Sequence, residues 1–326
     1  MRQHFSGYYD LSQEQFKHLW SKCVFVIDTN VLLDMYRLSP EARESLYNTL
    51  YKLKERLWIP YQVAKEYHRN INTVILGQIK KCEEMSSQAN QLENKILNGC
   101  AANRSYPYLS PNLQKRIKKL IADINKEIEG EKNSIKELLR QNPAKIQIAE
   151  LLDGKIGEEQ SEERLLEIFK SGKVRYNEKI PPGYKDLGEK QGNEVYGDLV
   201  IWEEMIAYAN ANNKDIIFIT SDVKEDWYLR IENETHGPRE ELRMEFARRT
   251  NNHTYYSYSA AAFLQYVDKY IEVSKIPGKI INEVAAIIDE KAETVSSQMN
   301  EDSYNREYQF ATGDLGQIDD MTASES

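Results

Sequence analysis

Two short apolar runs, Val24–Ile27 and Ile216–Thr220, restrict what this chain can fold into more than any other feature. A strand with one face in water alternates polar and apolar residues; these two do not, so they read as strands buried on both faces. Residues 57–60 (Leu-Trp-Ile-Pro) and 254–258 read as two more strands. Helical periodicity separates all of them, and no hairpin turn joins any pair. Strands divided by helices imply an α/β domain on a parallel sheet, with right-handed crossovers.

A helix start is written at Ser39-Pro40-Glu41: a capping hydroxyl, a proline at the first helical position, an acid in the first turn. Beyond Val63, the residues Ile71, Ile75, Gln78, Cys82, Met85, Ala89, Leu92 and Ile96 recur at alternating spacings of four and three. Such a heptad seam needs a partner helix. Pro107 and Pro111 interrupt the pattern, and Leu113, Ile117, Leu120, Ile124, Ile128, Ile135 and Leu138 form a second stripe. Residues 70–140 are therefore expected to fold as an antiparallel helical hairpin. Residues 143–178 read as broken helix and Pro181-Pro182-Gly183-Tyr184 as a loop. Asn193 is the expected cap of a helix carrying Leu199, Trp202, Ile206 and Ala209, and further helices are expected over 238–249 and from Ser259 onward.

The 326 residues suit roughly two domains, or one domain with a large insertion. The net charge of -9 is unevenly spread: 12 acidic and 4 basic residues lie from Glu272 onward, leaving 39 basic and 40 acidic before it. The folded part thus lacks the bulk basic field of a tight non-specific DNA binder, while local patches remain open to it. Residues 101–145 are the most basic stretch, with 10 basic and 5 acidic side chains, which a solvated helix face would also explain. The last stretch, 296–326, is poor in apolar residues and expected to be disordered. No apolar run spans a bilayer and the N-terminus has no secretory pattern, so no membrane partner and a cytoplasmic location are expected. Three scattered cysteines without a CxxC argue for a reducing compartment and against a thiolate metal site.

Ligands of open parallel sheets bind beyond the carboxyl ends of the strands. Asp28 follows the first strand, and Asp222 follows the Ile216 strand by one residue. Glu66 comes early in the helix after the second strand, and Asp198 early in the helix that leads into the Ile216 strand. Each alone could serve as a turn former or a helix-terminal acid. Together they map to one rim of one sheet. Four crowded carboxylates cannot all ionise near neutral pH without compensating charge. A set of hard oxygen donors without a Cys or His cluster selects Mg²⁺ or Mn²⁺ over Zn²⁺, the usual equipment for phosphodiester hydrolysis. No Walker A or GxGxxG pattern is present.

Four stretches carry a family resemblance. Phe25-Val26-Ile27-Asp28-Thr29-Asn30 resembles the first motif of PIN domains, and Pro60-Tyr61-Gln62-Val63-Ala64-Lys65-Glu66-Tyr67 the second. Tyr196-Gly197-Asp198-Leu199-Val200-Ile201-Trp202 resembles the third, and Ile219-Thr220-Ser221-Asp222-Val223-Lys224-Glu225-Asp226-Trp227 the fourth. The Pro181-Pro182-Gly183-Tyr184 loop and His236-Gly237-Pro238-Arg239 are similar to the larger bacterial PIN-like proteins with a helical insertion. The resemblance covers roughly residues 22–70 and 180–272, with the insertion and the acidic tail outside it. It implies an α/β fold, a three-layer parallel sheet flanked by helices and carrying a long helical hairpin. The implied division is 1–69 and 180–272 for the PIN-like domain, 70–179 for the insertion, and 273–326 for an acidic helix and tail.

The resemblance also implies a metal-dependent nuclease acting mostly on RNA, with Mg²⁺ or Mn²⁺ held by Asp28, Glu66, Asp198 and Asp222 and products ending in 5′-phosphate and 3′-hydroxyl. Asp226 is a candidate fifth ligand, sharing a face with Asp222 if that segment is helical. Thr29, Asn30 and Ser221 would orient the carboxylates by hydrogen bonds. Lys224 and Arg239 are candidate phosphate contacts, with ordinary surface charge the alternative. Tyr184 and Trp227 are candidate stacking rings, with packing the alternative. Nucleic acid is the expected partner, RNA before DNA, in RNA turnover or antiviral defence. A DNA-directed nuclease, or a non-catalytic scaffold assembling with itself or a protein partner through the hairpin, are the rival readings.

Overall fold

The computed structural model describes residues 1, 5–99, 109–188, 190–232, 234–271 and 275–291. The acidic stretch expected to be disordered, 296–326, lies outside the described residues, as does Cys100. Strands β1 (Val24–Ile27), β2 (Leu57–Trp58), β3 (Ile216–Thr220) and β6 (Tyr255–Ser259) form one sheet of order β2-β1-β3-β6. Every pairing in it is parallel: Phe25 faces Leu57, Val24 faces Ile216, and Ile216 faces Tyr255. All residues of β1 and β3 are buried, as continuous apolar runs require.

Helices cover both faces, and two aromatic clusters show how. On one face Trp20 of α1 (Gln13–Lys22) packs against Phe25 and against Phe263 of α10 (Ala260–Tyr270), with ring centres 5.5 and 6.0 Å away. On the other, Trp202 of α8 (Gly197–Asn212) meets Tyr255 at 5.0 Å, while Phe218 meets Trp227 at 5.1 Å. Phe25 and Phe218 point oppositely because side chains alternate along a strand. Truncating either tryptophan to Ala should cost about 3–5 kcal/mol.

Helix α2 (Thr29–Asp34) begins directly after β1, with Asp28 as its cap. Helix α3 (Pro40–Lys52) starts as the sequence indicates: Ser39 caps Ala42 N and Pro40 opens the first turn. Helix α4 (Tyr61–Gly99) leaves the sheet rim and runs without a break into the hairpin it makes with α5 (Pro111–Glu137). Residues 69 and 70 thus share one helix. The hairpin is joined by Ser86–Asn125 and Asn90–Asn125 hydrogen bonds and by Lys132–Glu83. Its seam departs from a strict heptad at Met85 and Leu92, which are 56% and 53% exposed. A straight helix drifts against a seven-residue repeat, so these positions rotate off the contact line.

Helices α6 (Pro143–Leu152) and α7 (Glu162–Asn177) return to the body, burying Ile148, Leu151, Ile168 and Tyr176 in the main core. The chain between them docks on the β2 edge, where Ile59 N donates to Lys155 O at 2.9 Å and Gly157 N to Ile59 O at 2.8 Å. Residues 278–291 form a final helix that buries Ile280, Val284 and Ile288.

Two expectations need correction. Asn193 caps no helix: it sits exposed in a 3-10 turn, Gly192–Tyr196, and α8 starts only at Gly197. An antiparallel hairpin does exist, β4 (Tyr228–Ile231) with β5 (Glu234–Pro238), between β3 and α9 (Glu240–Arg249). Only its base is buried, so no apolar alternation announces it in the sequence.

Candidate active site

Asp28, Glu66, Asp198 and Asp222 reach the carboxyl rim from four different elements. Asp28 leaves the end of β1 and is 8% exposed. Its Oδ2 accepts from Thr220 Oγ1 at 2.6 Å and from Asn30 Nδ2 at 2.7 Å, and its Oδ1 from Thr29 N at 2.7 Å. Thr220 Oγ1 in turn accepts from Asp222 N at 2.9 Å, so a single hydroxyl ties the ends of the two central strands. Asn30 adds a second tie, accepting Ser221 N at 2.7 Å.

Glu66, in the second turn of α4, accepts from Thr29 Oγ1 at 3.1 Å and from Gln62 Nε2 at 2.7 Å. A Cβ on Gly197 would stand 2.6 Å from Glu66 Oε1, so the glycine before Asp198 is what lets α8 approach Glu66. Asp198 is fixed by the Trp227 indole, whose Nε1 donates to Oδ2 at 2.9 Å. Gly183, at φ +88°, lets the Pro181-Pro182-Gly183 loop lie against Asp198, whose Cβ a side chain there would meet at 2.8 Å.

Electrostatics follow from this crowding. Burial, then repulsion from Glu66 and Asp222, pushes the Asp28 carboxyl up to about 7 against the Thr220 hydrogen bond. Asp198 is raised well above the carboxylate range by burial and by Asp186. Asp222 is raised by burial, against the pull of Lys224. The rim therefore holds more negative charge than its surroundings balance.

Other expected residues are placed differently. Asp226 is not on a helix with Asp222, because residues 222–224 have no regular secondary structure and 225–227 form a turn. It is fully buried, with Oδ2 accepting from Gly183 N and Lys185 N, each at 3.1 Å. Ser221 contributes its backbone; its Oγ is buried with no hydrogen-bond partner among the described residues. Trp227 is 2% exposed and packs, and Tyr184 is half-buried against the core, so neither ring stands free. Arg239 turns to Glu241 at 2.7 Å and to the Glu225 carbonyl at 2.8 Å.

One rim carboxylate escaped the sequence reading. Asp186, 1% exposed, bonds Lys224 Nζ through Oδ1 at 2.8 Å and pairs with Lys190 through Oδ2. The only available signal was Tyr184-Lys185-Asp186 after the proline loop, with no apolar strand before it. Among the described residues, no three carboxylate, imidazole or thiolate groups stand close enough to ligate one ion as arranged. The donor chemistry nonetheless suits a hard divalent cation: every group is an oxygen, and burial with mutual repulsion leaves them short of positive charge. Lys190 and Lys224 supply positive charge to Asp198 and Asp222, and Lys291 acts on Asp28.

The fold is a parallel α/β sheet with acidic side chains at its carboxyl rim, carried by the ends of β1 and β3 and the early turns of α4 and α8. The model of the PIN like domain family matches residues 24–242, and the chain belongs to that family. The matched span, 24–242, begins at β1 and ends in α9. No curated protein and no solved structure matches the chain. PIN-like domains are generally nucleases that bind nucleic acid and use divalent metals. Among the described residues, no helix is long and apolar enough to cross a membrane.

Proposed function

We propose that this protein is a divalent-metal-dependent endonuclease, acting on RNA in preference to DNA. The observation that carries the proposal is the meeting of Asp28, Glu66, Asp198 and Asp222 at one sheet rim within a PIN-like chain. Those four would hold Mg²⁺ or Mn²⁺, which when bound polarises the phosphodiester and activates water for in-line attack. The chain's own contribution is orientation. Thr220 and Asn30 aim Asp28, Thr29 and Gln62 aim Glu66, and Trp227 aims Asp198. Lys224, partly buried at the rim, is the proposed contact for a phosphate oxygen. Arg239 and Tyr184, at the entrance beside the Pro181-Pro182-Gly183 loop, belong to the same proposed nucleic-acid surface, and Asp226 holds that loop in place. RNA turnover or antiviral defence in the cytoplasm is the proposed setting.

The test is digestion of single-stranded RNA, single-stranded DNA and duplex with Mg²⁺ or Mn²⁺ by wild type, Asp28→Asn and Asp222→Asn. Cleavage of RNA by wild type, lost in both folded variants, supports the reading. Cleavage at the wild-type rate by Asp28→Asn overturns it.

A further inference from the structure

Asp186 is a buried carboxylate with two ammonium partners, one more than a charge of -1 requires. Lys224 reaches it at 2.8 Å and also stands 3.7 Å from Asp222 Oδ2. Lys190 pairs with its other oxygen. Burial disfavours the charge on Lys190, but attraction to Asp198, then Asp186, and also Glu66, outweighs it and raises its pKa. On Lys224 burial is likewise outweighed, by Asp222 and Asp186, with Asp198 adding to them. Both lysines thus interact with the carboxylates of the proposed metal centre, and Asp186 anchors both.

We propose that Asp186 is a positioning residue that holds Lys190 and Lys224 as resident counter-cations of the acidic rim, and that a divalent cation competes with these two ammonium groups for the same carboxylates. The inference rests on reading the rim as a metal centre. It accounts for two observations together: donor chemistry that suits a hard cation, and a present spacing that does not grip one. Carboxylates partly balanced by lysine have less electrostatic reason to share one cation at a common point. The exchange is open to the lysines because their side chains are 38% and 24% exposed, so each long stem can turn its head group to water. Lys190 also lies between Gly188 and Gly192, both at positive φ (+154° and +61°), where the backbone is least restricted.

An ordinary structural ion pair would respond differently. Replacing Lys190 by Met keeps the stem and removes the charge, making the rim more negative; metal binding must then tighten. Replacing Asp186 by Asn frees both lysines to sit on Asp198 and Asp222; metal binding must then weaken. A purely structural triad would weaken in both.

The experiment is calorimetric titration of MnCl₂ into wild type, Lys190→Met, Lys224→Met and Asp186→Asn, with melting temperatures in EDTA and in excess Mn²⁺. Each lysine variant is expected to bind Mn²⁺ on the order of tenfold tighter, equivalent to ~1.4 kcal/mol. Each should also melt several degrees lower in EDTA, and gain more from Mn²⁺ than wild type does. Asp186→Asn is expected to bind more weakly. Lys190→Gln and Lys224→Gln replace any Met variant that fails to fold. Mn²⁺ binding by wild type with unchanged or weaker binding in both lysine variants overturns the inference and spares the metal reading. Binding absent in wild type but present in a lysine variant supports the inference. Binding absent in all four proteins overturns the metal reading and the inference with it.

Discussion

Without divalent cations, raising the pH should weaken this fold, and Asp28 supplies a share that can be calculated. An aspartate in an unfolded chain titrates near 3.9. Burial, with repulsion from Glu66 and Asp222, pushes Asp28 up to about 7 in the fold. The folded protein therefore holds the proton more tightly than the unfolded chain. The stabilisation from the neutral carboxyl is complete below about pH 4 and is lost as pH rises through about 7. Between pH 5 and pH 8 the loss is about 3 kcal/mol from this residue alone. The perturbation is Asp28→Asn, which cannot titrate. Its amide opposes three donors, Thr29 N, Asn30 Nδ2 and Thr220 Oγ1, so it forfeits one hydrogen bond. That forfeit costs about 1–3 kcal/mol at every pH.

Urea unfolding in EDTA at pH 5, 6, 7 and 8 measures the gap between the two proteins. The variant should be the less stable at pH 5 and should gain about 3 kcal/mol on wild type by pH 8. Glu204 and Asp226, pushed up by burial to about 7 and about 6, steepen the pH dependence of both proteins. His68, pushed down by burial and by Lys145, opposes them, again in both. Neither effect enters the difference. A gap that stays constant or widens against the variant from pH 5 to pH 8 would refute the claim that Asp28 is a strained carboxylate.

Trp227→Phe keeps an aromatic ring in the core but removes the donor to Asp198. It should cost about 1–2 kcal/mol in urea unfolding and at least about tenfold in cleavage rate if Asp198 must be aimed. Arg175→Met removes the guanidinium that bonds both oxygens of the buried Glu245 and the Pro181 carbonyl, leaving Arg249 on Oε1. A loss of about 1–3 kcal/mol is expected by the same assay. Gly183→Ala places a Cβ against Asp198 in a backbone conformation at φ +88°. It should lower the melting temperature and abolish cleavage; wild-type values for both would show that the loop does not need the glycine.

The parts of this protein that could be read from its sequence are those whose burial is uniform. The β1 and β3 runs have no polar interruption, and the Ser39-Pro40 start is a local hydrogen-bond pattern, so both survive without knowledge of the tertiary fold. The β4–β5 hairpin could not be read, because one buried position at its base leaves no period to detect. Asp28 and Asp222 were visible because each follows an apolar strand. Asp186 was not, because its neighbours are a proline loop and a glycine-flanked turn, and its partners Lys190 and Lys224 lie in segments without apolar periodicity. The condition for Asp226 to share a face with Asp222, a helix over that segment, is not met: residues 225–227 form a turn, and Asp226 accepts from the amides of Gly183 and Lys185.

Those misplacements share a cause that bears on how the site works. The proline loop, the Asp186 turn and the segment after β3 carry no hydrophobic signal, yet they converge through buried polar contacts: Asp226 to Gly183, Trp227 to Asp198, Lys224 to Asp186. They reach the rim because α7 anchors the loop from behind, with Arg175 on Glu245 and Tyr176 beside Gly183. Helix α7, which follows the hairpin, is therefore part of the wall of the acidic cluster. Helix α4 leaves the rim carrying Glu66, and the chain that returns from the hairpin places Gly183 against Asp198. A segment that separates two site residues by 132 positions in sequence also supplies packing at the site they share.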